Sequence, residues 1–156
     1  MAGWSSMKHL LISHQNKVWQ HGLIILRSLG KFFGLAGVRV GFVITHPDLL
    51  KHIAEKSGPW PIASVSRWIA SQALADKNWQ QQSRQYLPQH AQRLTELLAQ
   101  YQLAPSGGCA LFQWIKTAHA ASIHHQLAQQ GILCRLFDRP AALRFGLPAN
   151  EQHWLR

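Results

Sequence analysis

Acidic residues are scarce in this chain: 6 Asp plus Glu stand against 16 Lys plus Arg, the formal net charge is +10, and no carboxylate precedes Asp48. Such an excess raises the question of nucleic acid or an anionic membrane surface. The positives are dispersed, however, and Lys8, Lys17, Lys51, Lys56, Lys77 and Lys116 form no run, which argues against nucleic acid. Long apolar runs are also missing. The one apolar cluster near the start, Leu10-Leu11-Ile12, is too short for a secretory signal, and nothing elsewhere approaches a membrane span. Only two cysteines occur, Cys109 and Cys134, and without a secretory signal they read as reduced thiols of a cytoplasmic protein. Internal repeats, low-complexity tracts and charge blocks are absent. Ten histidines invite a metal, yet in the best cluster, His119, His124 and His125, the first two are five apart on an expected helix. Helical ligand pairs need a spacing of three or four, so a solvated face is the better reading and no metal is expected.

What is present in quantity is glycine around one lysine. The stretch Arg27-Ser28-Leu29-Gly30-Lys31-Phe32-Phe33-Gly34-Leu35-Ala36-Gly37-Val38-Arg39-Val40-Gly41 follows an apolar run, Leu23 to Leu26, that reads as a buried strand ending at Ser28. Lys31 then sits on the loop beyond a strand end, where sites collect. Val40 to Ile44 reads as a second strand, which returns Arg39 towards Ser28. A lysine becomes a useful amine nucleophile when desolvation or neighbouring cations lower its pKa, and Phe32, Phe33, Arg27 and Arg39 are placed in sequence to supply both. Lys31 therefore reads as a Schiff-base lysine, with Ser28 and Arg39 holding the phosphate of a phosphorylated aldehyde cofactor. Gly34, Gly37 and Gly41 do not give G-x-G-x-x-G, and Gly30-Lys31 is followed by Phe32 rather than by the hydroxyl residue of a P-loop.

This pattern resembles the pyridoxal-phosphate lysine signature of the class I/II aminotransferase family: Ser28, Gly30-Lys31, then Gly34, Gly37, Arg39 and Gly41 in order. The resemblance implies an α/β fold, specifically the C-terminal part of a fold-type I pyridoxal-phosphate-dependent transferase. It also implies that Lys31 is the catalytic lysine and that Ser28 and Arg39 bind the cofactor phosphate. Further landmarks are Gly58-Pro59-Trp60-Pro61, Gly107-Gly108-Cys109-Ala110-Leu111-Phe112, Gly131-Ile132-Leu133-Cys134-Arg135 and Leu143-Arg144-Phe145-Gly146-Leu147-Pro148. Together these resemble the threonine-phosphate decarboxylase branch of cobalamin biosynthesis, close to histidinol-phosphate aminotransferases, from about Gly22 to Arg156. By that resemblance Arg144 grips the substrate's α-carboxylate and Arg135 contacts its phosphate, while Arg139 is solvated. The reaction so implied is decarboxylation of O-phosphothreonine, with a histidinol-phosphate-type aminotransferase as the rival and a non-catalytic fragment as the third reading. Family expectation further places the glycine loop that cups the phosphate, the aromatic stacked on the pyridine ring, and the asparagine and aspartate that contact it in a preceding segment outside this chain, which would impair the short form. Family members are typically homodimers acting on small phosphorylated amino acids.

By the same resemblance the chain divides into a large-domain remnant, 1–77, and an interdomain helix with a small domain, 78–156. Helices are expected from Pro47 to about Lys56, up to Asp76, from an Asn78 cap to about Tyr101 with a kink or split at Pro88, and from about Ala118 to Gln130. Strands are expected at Ala110–Ile115 and around Leu133 and Leu143, and Asn150 reads as a final cap. Trp60 reads as core, and Trp68, Trp79 and Trp114 as residues on apolar faces.

Overall fold

The computed structural model describes residues 22–154, so the apolar cluster Leu10–Ile12 lies outside the described residues. Helices and antiparallel strands combine in two compact units that divide after Trp79. No described helix is long and apolar enough to cross a membrane.

In the first unit, β1 (Ile24–Ser28) and β2 (Gly41–Thr45) form a two-stranded antiparallel sheet with Ser28 opposite Gly41 and Ile24 opposite Thr45. The buried Thr45 hydroxyl donates to the Leu23 carbonyl at 2.6 Å and fixes the outer end of the ribbon. The segment between the strands is held by two apolar residues at its ends, Leu29 and Val40, which with Ala70 make a buried cluster backed by Phe33, Leu35, Val38, Phe42 and Ile62. Each fully buried side chain of this size contributes about 1.5–3 kcal/mol. Helix α1 (Pro47–Ser57) starts where Pro47 fits the first helical position, with His46 accepting from the Asp48 N–H. Helix α2 is Ser64–Ala75. The expected buried strand at Leu23–Leu26 is corrected here: Ile24 is 51% and Leu26 72% exposed. An apolar run of this kind needs cover on both faces, and a two-stranded ribbon supplies one.

Asp76 joins two helices. Its backbone N–H closes α2 on the Gln72 carbonyl, and its carboxylate accepts from the Trp79 N–H at 2.9 Å, opening α3 (Lys77–Gln100). The cap is therefore Asp76 and not Asn78, because the side chain three residues before Trp79 is the one that reaches its amide. Pro88 does not split α3, which runs unbroken past it. Proline removes one backbone donor, and the apolar residues Ala91, Leu94 and Leu98 anchor the turns that follow.

The second unit is a four-stranded antiparallel sheet in the order β3 (Gly107–Cys109), β4 (Phe112–Lys116), β6 (Ala141–Gly146), β5 (Arg135–Asp138). Helix α4 (Ala120–Gln129) links β4 to β5, and a short α5 (Glu151–Trp154) closes the described chain. The core joins Leu94 and Leu98 of α3 to Ile115 of β4 and Trp154 of α5, with Leu97, Leu103, Phe145 and Leu147 packed against them. Gly107 and Gly108, which precede the strand expected at Ala110–Ile115, themselves pair with β4. Gly108 is required there, since a Cβ would overlap the Gln113 side chain and the Phe112 carbonyl. Leu133, expected in a strand, lies outside one and is 86% exposed, and β5 begins at Arg135.

Asn150 caps α5 through its side-chain oxygen, and Arg93 clamps the turn by donating to both Glu151 oxygens at 2.7 and 2.9 Å while lying over the Trp154 ring at 4.3 Å. Arg93 holds the Glu151 carboxyl below its ordinary 4.5, with a smaller effect from the charge of His90. A depressed carboxylate stabilises the fold above its unfolded pKa and loses that contribution as pH falls through the folded value. Glu151→Gln should therefore melt below wild type near neutrality, with the difference closing on acidification through 4.5 and beyond; an unchanged gap would contradict the clamp. Leu143 is fully buried, and Leu143→Ala should cost about 2–5 kcal/mol in chemical denaturation. Leu133→Ala should stay within about 0.5 kcal/mol of wild type.

Candidate functional site

Ser28 ends β1 directly opposite Gly41, the first residue of β2, so the chain leaves and re-enters the ribbon at one place. Between these points the loop folds back on itself. The Leu35 N–H donates to the Leu29 carbonyl at 2.9 Å, and the Gly34 N–H donates to the Lys31 carbonyl at 3.0 Å. Gly34 has φ +67, a conformation that costs glycine little and a β-branched residue much, which fits a glycine at that turn. Ala36–Val38 then makes one 3-10 turn, and Arg39 follows in the left-handed region at φ 57. Its guanidinium Nη1 donates to the Ala36 carbonyl at 3.2 Å.

The result is an open hollow of about 350 Å³ lined by Ser28, Gly30, Lys31, Leu35, Ala36, Arg39, Val40 and Gly41. All three residues singled out from the signature, Ser28, Lys31 and Arg39, therefore border one concavity. Its ionisable members are both cations and no acid lines it, so the field inside favours an anion. An amine, a hydroxyl and a guanidinium around one hollow can hold a phosphorylated carbonyl compound, the fork taking oxygens and the amine taking the carbonyl carbon. Sequence reasoning passed over Leu35 and Ala36. Leu35 forms wall, and the Ala36 carbonyl steers Arg39; a backbone acceptor leaves no signal in residue type.

A second, more apolar hollow of about 290 Å³ shares Ser28 and Lys31 and runs along Leu26, Phe32, Phe33, Phe42 and Leu74. Phe32 is buried and packs edge-on against Phe33 and Trp79, with ring centroids 5.1 and 5.4 Å apart, and Phe33 stacks on Trp79 at 5.6 Å. Lys31 itself is exposed. The phenyl rings thus pack the loop's underside and leave the lysine in contact with solvent, contrary to the desolvating role read for them. Trp60 is likewise corrected: it is 86% exposed, at φ 56 in the turn before α2, and Trp68 is 65% exposed. A large aromatic signals burial only when its element has a partner on that side.

In the second unit, Arg135 of β5 and Arg144 of β6 are register partners. Residues directly opposite in antiparallel strands project from the same face, so the two guanidiniums share one side of the sheet. Trp114 of β4 faces Arg144 from the other side. Arg144 lies over the Phe112 ring at 5.2 Å and Arg135 over the Phe137 ring at 5.5 Å. Arg139 is exposed.

A family model described as aminotransferase class I and II matches residues 3–156. The threonine-phosphate decarboxylase of Pseudomonas aeruginosa is 49% identical over 135 residues, covering 86% of this chain and 41% of that protein. The histidinol-phosphate aminotransferase of Methylobacillus flagellatus is 33% identical over 138 residues, 85% of this chain and 38% of that one. Among solved structures, the histidinol-phosphate aminotransferase from Sinorhizobium meliloti in complex with pyridoxal-5'-phosphate superposes with a TM-score of 0.75 at 23% identity, over 85% of this chain and 38% of that one, a likeness of fold. The chain thus spans about two-fifths of the length of these relatives. With the lysine loop, the α/β architecture and a family match over nearly every residue in agreement, the chain belongs to the aminotransferase class I and II family.

Proposed function

We propose that this chain carries the cofactor lysine and substrate arginines of a pyridoxal-phosphate-dependent decarboxylase acting on L-threonine O-3-phosphate, as part of cobalamin side-chain synthesis. The observation that carries the reading is the convergence of Ser28, Lys31 and Arg39 on one hollow, in a chain 49% identical to a threonine-phosphate decarboxylase. The residues present fit the cofactor: the hollow offers a primary amine for its aldehyde, a hydroxyl and a planar fork for its phosphate, and no carboxylate to repel it. Pyridoxal phosphate, when bound, supplies the electron sink for the pair left at the substrate's α-carbon. Lys31 Nζ would hold the cofactor's carbonyl carbon until the substrate amine displaces it, and the freed amine would then return the proton to the substrate's α-carbon. Ser28 and Arg39 hold the phosphate, with Arg39 aimed by its bond to Ala36. Arg144 takes the α-carboxylate, and in fixing it decides which bond at the α-carbon is presented for cleavage. Arg135 takes the substrate phosphate.

In this reading the first unit is part of the large cofactor domain, and the second is the small domain with the linking helix. The working form is a cytoplasmic homodimer with a small phosphorylated amino acid as substrate. A histidinol-phosphate-type aminotransferase is the second reading, favoured by the 33% identical relative. Carbon dioxide release from O-phosphothreonine supports the first, and amino transfer to 2-oxoglutarate the second.

Lys31→Ala should abolish borohydride-fixed attachment of pyridoxal phosphate, mapped by peptide mass, with melting unchanged; label retained at wild-type level would refute the assignment. Arg39→Ala should weaken cofactor retention by about 1.5–3 kcal/mol, towards the lower figure because the residue is exposed. Absorbance titration with pyridoxal phosphate reads that loss.

A further inference from the structure

Three aromatic rings close a triangle on the underside of the lysine loop. Phe32 meets Phe33 at 5.1 Å and 84° and Trp79 at 5.4 Å and 66°, while Phe33 and Trp79 stack at 5.6 Å and 19°. Each ring therefore touches the other two, two pairs edge-on and one stacked, the geometries that aromatic quadrupoles favour. Phe32 is buried and directly follows Lys31. Trp79 comes from outside the loop: it lies in the first turn of α3, keeps 38% of its surface exposed, and has its backbone N–H held by the Asp76 carboxylate at 2.9 Å. An apolar side chain left that open gains less from burial than a core residue, so what sets Trp79 apart is its ring contacts.

We infer that Trp79 is a positioning residue for Lys31, acting through Phe32 and Phe33. The inference rests on the cofactor role proposed above for Lys31 and names a residue outside the hollow on which that role depends. Lys31 is exposed and its stem is flexible, so the direction in which its amine leaves the loop is set by the backbone beneath it. Two restraints act on that backbone. The Lys31 carbonyl accepts from the Gly34 N–H at 3.0 Å, which closes the turn on one side. On the other, Phe33 and Trp79 hold the Phe32 ring, and because Lys31 and Phe32 share a planar peptide, a ring that cannot tip steadies that plane. Phe33 alone would not serve, since it rides on the same loop and would move with it. Trp79 is anchored by Asp76 at the junction of α2 and α3, and so gives the two phenyl rings a fixed reference. A leucine at this position could fill much of the same space, yet without a ring quadrupole it would set no angle.

The test is reductive labelling of the full chain with limiting pyridoxal phosphate and borohydride, the yield at Lys31 being divided by the yield at Lys56, an exposed lysine of α1 in the same unit. The amine adds to the aldehyde carbon with loss of water, and borohydride delivers hydride to that carbon, so both yields are read by peptide mass without any turnover. Wild type should favour Lys31. Trp79→Leu should lower the ratio about three- to tenfold, because a displacement of an ångström or less is costly in a positioned reaction, and Trp79→Phe should restore it to within about twofold. Leu143→Ala, which removes buried volume in the second unit, should lower the melting temperature and leave the ratio unchanged, since lost stability alone does not choose between lysines. A Trp79→Leu ratio equal to wild type would overturn the inference, as would a fall that Leu143→Ala matches or that phenylalanine does not repair. A wild type with no preference for Lys31 refutes the cofactor role and this inference with it, whereas a preference that survives Trp79→Leu removes the positioning role alone.

Discussion

The pairing of Ser28 with Gly41 is the constraint on which the candidate site depends. It makes the loop over residues 29–40 a closed excursion, so whatever the loop carries must return to within a strand spacing of where it left. Leu29 and Val40, buried at either end, pin that closure from below with the Ala70 side of α2. The loop is then free to be polar on its upper side only, and Lys31 and Arg39 take that side with Ser28. Chemistry and stability are divided between alternate residues: Leu29, Phe32 and Val40 go down, Ser28, Lys31 and Arg39 go up. A substitution at Leu29 would reach the lysine's position without touching its charge.

The second unit uses the same division on a sheet. Strand alternation sends Ile115, Leu143 and Phe145 to one face, where Ile115 and Phe145 meet α3 and Trp154, and sends Phe112, Trp114, Arg135, Phe137 and Arg144 to the other. Burial of the first face fixes the register, and register alone brings Arg135 opposite Arg144. A slip of one residue in either strand would turn its arginine to the core face. The clamp of Arg93 on Glu151 and Trp154 secures the last turn, which by length alone could not hold a helix.

The lysine loop was legible in sequence because its demands are local: glycines at the turns, a hydroxyl at the strand end, a guanidinium where the chain returns. Helix α1 was legible for the same reason, through Pro47 at its first position, and α2 and α4 fall within the bounds expected for them. What was misread depended on partners distant in sequence. Ile24, Leu26 and Trp60 look buried by composition, and among the described residues none covers them enough to make them so. Gly107 and Gly108 fell before the expected strand because glycine carries no strand signal of its own, and they become strand because β4 lies alongside and Gln113 occupies the space a side chain would need. The choice of Asp76 over Asn78 as cap turned on a two-residue offset that composition does not resolve, since both types serve the purpose.

The scarcity of acid acquires a meaning once the carboxylates are placed. Asp48 sits in the first turn of α1 beside His46, Asp76 opens α3, and Glu151 sits in the first turn of α5 against Arg93. Each neutralises the positive end of a helix dipole, the position where a carboxylate stabilises most per charge. None lines the Lys31 hollow, and none lies on the Arg135–Arg144 face. The net charge of +10 is thus no uniform coating such as a polyanion would seek. It includes two local concentrations, Lys31 with Arg39 and Arg135 with Arg144, that no described carboxylate pairs, while three of the six acids, Asp48, Asp76 and Glu151, serve helix starts. Cations held close without counter-charge are strained until an anion arrives, and that strain is binding energy kept for the ligand.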